Sequence, residues 1–224
     1  KTHGDLADHE LMQILDETAG CAWQGGDARV TTENEIEKHV EDRGLSPLLE
    51  EYKASAQSGV SKLLTAFYFR KYGKGDKATG EEAFEFTHKS FGEYLTARAI
   101  VELLITTQEE RVIHKTKTSN RRVQQKGWGE ERALLEWLKT TGQNPLNQDL
   151  KKFIINEIAL RKNNNQPVNA WQQTTSELLR TVIQYSMPIH QLENRQKHLE
   201  ERRISRNAEE VLLVAHSCCA QLTN

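Results

Sequence analysis

The residue best placed to do chemistry is His88, in the run Phe84-Glu85-Phe86-Thr87-His88-Lys89-Ser90-Phe91-Gly92-Glu93-Tyr94-Leu95. It stands just ahead of Ser90 and Glu93, whose S-x-x-E spacing is that of a capping box, in which two amide donors at a helix start are satisfied reciprocally. Amides at a helix start and the positive end of the helix dipole favour an anion. An imidazole there can donate a hydrogen bond, as the neutral tautomer or as imidazolium. These are grounds for asking whether a phosphate comes near it. The plainer alternative is a histidine that hydrogen-bonds locally and steadies the turn.

Nothing else in the chain completes an active site around His88. The phosphate-loop pattern G-x-x-x-x-G-K-[ST] does not occur, and Gly73-Lys74-Gly75 is not a substitute for it. The nucleophile pattern G-x-S-x-G is also missing. Cys21, Cys218 and Cys219 form neither a C-x-x-C pair nor a cluster with zinc spacing, and His190 and His198 stand eight apart among polar neighbours. Acidic residues are plentiful, but no pair is marked as catalytic by its context. No catalytic residue, metal site or bound cofactor is expected in this chain, which on this reading is not itself an enzyme.

The elements that must position His88 are a strand before it and a helix after it. Phe84 and Phe86 alternate with Glu85 and Thr87, the period of a strand with one buried face. Phe91, Tyr94, Leu95, Val101 and Ile105 then fall on one face of a helix. Upstream, helices are expected over 5–23, over 32–40 with Thr32-x-x-Glu35 as a second capping box, and from Ser46-Pro47 through Tyr52. A strand rich in aromatic and β-branched residues is expected over 60–70, joined to the return strand 83–87 by a Gly- and Lys-rich connection. Three helices followed by a two-stranded wing is the winged-helix arrangement. Residues 109–126 read as a polar, partly helical connection. Helices follow over 130–139, 148–161 and 171–185, then a charged one from about Leu192 and a last one from Asn207. The fold class is mainly α. Its expected domains are a winged helix over 1–106 with a two-stranded β wing, a basic connector over 107–128, and an all-α helical bundle over 129–224.

Composition narrows the partners. The 224 residues carry 30 basic and 32 acidic side chains, a net charge of −2, which leaves no global electrostatic footprint for nucleic acid or an anionic membrane. No apolar run approaches the ~20 residues that span a bilayer, and no signal-peptide pattern is present. Three cysteines, two of them adjacent, make a poor disulfide framework and point to a reducing, cytoplasmic setting. A chain that opens on Lys1 rather than Met is expected to be a piece of a longer one.

The His88 segment carries a resemblance. F-x-F-x-H-x-S-F-x-E-Y-L resembles the end of the winged-helix domain in NACHT-type signal-transducing NTPases. With the upstream run "GVSKLLTAFYFR", the stretch from Ser58 to Leu104 is similar to bacterial members in which a pentapeptide-repeat array often follows. The resemblance implies that His88 contacts the β-phosphate of ADP and holds a closed resting state. It implies a parent ATPase that uses ADP or ATP with magnesium, whose NTPase domain lies upstream and whose sensor lies downstream. It further implies a homo-oligomer on activation and a role in bacterial, antiphage defence. If a repeat array follows, the apolar end near Cys218 and Leu222 should be exposed or in a lattice contact.

Three further groups need an account. Arg98 falls within the apolar stripe of the helix after His88, so it has either a carboxylate or carbonyl partner inside its domain or an interdomain contact that senses the NTPase state. Lys71, Lys74 and Lys77 of the wing raise the alternative of a stand-alone DNA-binding regulator with a helical dimerisation domain. The helix from Ser46 carries Glu50 and Glu51 against only Lys53, a poor sequence for a phosphate-lined groove. The basic run from Arg111 to Lys126 reads as a solvated connector, and Trp128, Trp137 and Trp171 as packing anchors.

Overall fold

A computed structural model of the chain describes residues 8–24, 31–42, 44–55, 69–72, 83–118, 127–192 and 198–223. It is mainly helical, with one small antiparallel sheet. It divides into two units, 1–99 and 100–224. In chain order the first unit contains α1 (Asp8–Gln24), β1 (Thr31–Thr32), α2 (Glu33–Asp42), α3 (Ser46–Ser55), β2 (Phe69–Tyr72) and β3 (Ala83–Phe86). Helix α4 (Lys89–Thr118) begins in the first unit and ends in the second. The second unit adds α5 (Glu130–Thr141), α6 (Gln148–Asn163), α7 (Val168–Tyr185), a 3-10 turn (Ile189–Gln191) and α8 (His198–Thr223).

In the first unit β3 is the central strand, paired with β2 on one side and with β1 on the other. The two-stranded sheet expected from sequence thus gains a third strand of two residues, Thr31 and Thr32 opposite Phe84 and Ala83. A strand this short leaves no periodicity to read. The expected strand 60–70 appears only at its end, in Phe69 and Arg70, and its earlier residues lie outside those described, as do Lys74 and Lys77. The capping box at the start of α2 is formed as its spacing required. The Thr32 amide donates to Glu35 Oε2 at 2.8 Å and the Glu35 amide to Thr32 Oγ1 at 3.3 Å. The core gathers Leu15, Ala19 and Ala22 of α1, Ile36 and Val40 of α2, Leu49 of α3, Leu95 of α4, and Phe84 and Phe86 on the inward face of β3.

In the second unit α8 packs against α5, α6 and α7. Trp137, Leu138, Leu150, Ile154, Trp171, Leu178, Ala208, Val211 and Leu212 are fully buried there. Trp137 answers its polar edge by donating from Nε1 to Thr107 Oγ1 at 3.0 Å. Two expectations are corrected. The charged helix from Leu192 and the last helix from Asn207 are one helix from His198 onward, with 193–197 outside the described residues. Asn207 does not start a helix: it is buried within one, and its Nδ2 donates to the Gly142 carbonyl at 2.9 Å. Cys218 and Cys219 are also buried rather than exposed, and Leu222 is half-buried.

Candidate functional site

His88 occupies the bend between β3 and α4, and its side chain is exposed. The helix starts at Lys89, so Ser90 lies inside the first turn and cannot be its N-cap. His88 takes that place with its backbone: its carbonyl accepts from the Phe91 amide at 3.0 Å and from the Gly92 amide at 3.4 Å. Glu93, expected to reach back in a capping box, is buried, with Lys89 Nζ 3.8 Å from its carboxylate. The turn is held by aromatics. The rings of Phe86 and Phe91 meet edge to face, with centroids 6.0 Å apart at 72°.

The arrangement offers an exposed imidazole one residue ahead of a long helix, where the dipole and the first amides favour negative charge. That suits contact with an anion brought by another surface. Among the described residues, no group of three or more His, Cys, Asp or Glu side chains could hold a metal ion.

Arg98 lies ten residues further along α4, roughly 15 Å by helical rise. The structure therefore does not bring it to His88. Its Nε stands 3.2 Å and 3.3 Å from the two carboxylate oxygens of Asp16, which is buried on α1. Arg98 thus has a carboxylate partner inside its own unit. Next to it Thr96 Oγ1 donates to the Ala19 carbonyl at 3.2 Å, so α1 and α4 meet through polar as well as apolar contacts. At the residue after Asp16 on α1, Glu17 Oε2 lies 2.8 Å from His39 Nε2, tying α2 to the same helix.

The sequence reading missed a charged cluster in the second unit. Arg111 is not a solvated connector residue; its side chain is only 5% exposed. Its Nη2 donates to Glu130 at 2.9 Å and to Glu177 at 3.2 Å, and Nη1 to the Trp128 carbonyl at 3.4 Å. Lys115 Nζ donates to both oxygens of Glu177, at 2.6 Å and 2.7 Å. Thr181 donates to Glu130 at 2.9 Å. Burial would raise the Glu177 carboxyl, but the hydrogen bonds from Lys115 and Arg111 outweigh it and hold the group below its ordinary range. A signal existed: Ile100, Leu104, Thr107 and Arg111 follow one another at spacings of four, three and four, and all are buried. The cluster joins α4, α5 and α7 and presents as many carboxylates as cations, so it is a structural tie. The three thiols are equally inert. Burial pushes Cys21 and Cys218 up to about 11 and Cys219 to about 12.

No protein-family profile matches the chain, and comparison with curated proteins and with solved structures likewise gives no match.

Proposed function

We propose that the chain is a regulatory part of a NACHT-type signalling NTPase. In this reading it hydrolyses nothing itself. Its first part is a winged helix that closes over ADP bound by an upstream NTPase domain, with His88 donating to the β-phosphate. Its helical part relays the state of a downstream sensor. Loss of the phosphate contact releases the winged helix, nucleotide exchanges and the parent oligomerises. The physical element is a domain interface with two arrangements, biased by one charge-assisted contact. Defence signalling in a bacterial cytoplasm is the biological setting this implies.

The observation that carries the reading is the F-x-F-x-H-x-S-F-x-E-Y-L run together with the exposed His88 side chain at a strand-to-helix bend. The order helix, short strand, two helices, then a strand pair around a central β3 supports the winged-helix part of it. The test on the chain itself is calorimetric titration with ADP and ATP. One donor without a phosphate loop should give no measurable heat of binding at micromolar concentrations. Micromolar affinity would mean that the chain holds a nucleotide site of its own and that the reading is wrong.

A further inference from the structure

Gly92 sits in the first turns of α4, where glycine weakens a helix relative to alanine. Its place there is explained by what covers it. A Cβ on Gly92 would stand 2.8 Å from Cδ2 and 3.1 Å from Cγ of Phe86, closer than packed carbons tolerate. The Phe86 ring has little freedom to yield, because it is buried and crossed edge-on by Phe91. The Gly92 amide also donates to the His88 carbonyl. Phe86 precedes His88 by two residues and Gly92 follows it by four, so their contact closes a short loop with His88 at its apex.

We propose that Gly92, acting through Phe86, is a positioning residue for His88. The missing side chain lets the Phe86 ring rest on the first turns of α4, and this contact sets the direction in which the imidazole meets its phosphate. The inference rests on the reading of His88 as an anion contact. It adds that packing beneath the turn sets the direction of the contact. Gly92→Ala overfills the contact and Phe86→Leu replaces a rigid ring edge with a movable methyl. Each should disturb the turn, and the double variant should be less perturbed than the sum, since both changes act on one contact.

Two measurements test this. In the isolated chain, amide exchange at Phe91 and Gly92 should quicken about tenfold in Gly92→Ala, and the His88 ring resonances should move, while Trp137 and Trp171 resonances stay in place. Ser90→Ala, an exposed change in the same turn, should leave all of these unaltered. Should Gly92→Ala fail to fold, Phe86→Leu carries the same expectation. Unchanged exchange and unchanged His88 resonances in the folded variant overturn the positioning role. In the parent NTPase, Gly92→Ala should lose bound ADP about as much as His88→Ala. Loss with His88→Ala but not with Gly92→Ala overturns the positioning role alone. Retention in both removes the anion contact on which it rests.

Discussion

The cluster around Arg111 predicts an asymmetry between removing its cation and removing its anions. The guanidinium side chain is 5% exposed, whereas Glu130 is 46% and Glu177 32% exposed. Glu130→Ala with Glu177→Ala leaves a buried positive charge with no carboxylate, the situation that costs about 3–5 kcal/mol in buried pairs. Arg111→Met leaves two carboxylates that water can reach, one of which keeps Lys115. Methionine also fills the stem's volume and removes a buried Nε that has no hydrogen-bond partner among the described residues. Its cost should stay at or below ~2 kcal/mol. Urea unfolding followed by tryptophan emission reads the difference through the buried Trp137 and Trp171. With slopes of ~1–3 kcal/mol per molar, the double alanine variant should lower the midpoint by about 1 M or more, at unchanged slope. Because the folded Glu177 carboxyl is depressed, its contribution is full above the ordinary value of 4.5 and is lost as pH falls through the folded value. The gap between wild type and Glu177→Ala should therefore narrow in acid. Equal midpoints for the two variants, or Arg111→Met as the worse, would refute the reasoning.

Other outcomes follow from local structure. Thr32→Ala removes one half of the capping box at the start of α2 and should cost ~1 kcal/mol, with a fall of a few degrees in the melting of the first unit. A fall no larger than that of an exposed Ser→Ala change would show the box to be idle. Cys21, Cys218 and Cys219 should resist a disulfide reagent at pH 8 until the chain is unfolded, since all three are buried with raised pKa values. Rapid labelling of any one in the folded protein would contradict the packing.

What was legible in the sequence was local. The Thr32-x-x-Glu35 box and the Phe84, Phe86 alternation each need only a few neighbouring residues, and each stands as read. The Ser90 box was misplaced because helix starts are ambiguous by a residue or two. Here the helix starts at Lys89, and the His88 carbonyl accepts from the Phe91 and Gly92 amides. Pairings distant in sequence could not be read: Thr31 with Phe84, Arg98 with Asp16, Arg111 with Glu177. Polar side chains mislead twice in the helical unit. Arg111 stands in a polar run and reads as solvated, though its spacing continues the buried stripe of Ile100, Leu104 and Thr107. Asn207, which reads as a helix start, lies inside a helix, and its amide donates to the buried Gly142 carbonyl just past the end of α5. For the candidate site, sequence supplied His88 itself. The contact of Phe86 with Gly92 that shapes its turn emerges only when strand and helix are folded together.

The central claim is that His88 touches a phosphate held by another domain. The direct measurement is the ADP that co-purifies with the proposed parent NTPase, wild type against His88→Ala, quantified after denaturation. A hydrogen bond to a charged group contributes ~1.5–3 kcal/mol, so the variant should bind ADP about tenfold or more weakly and oligomerise without its trigger. The same ADP content and the same resting state in both proteins would contradict the account.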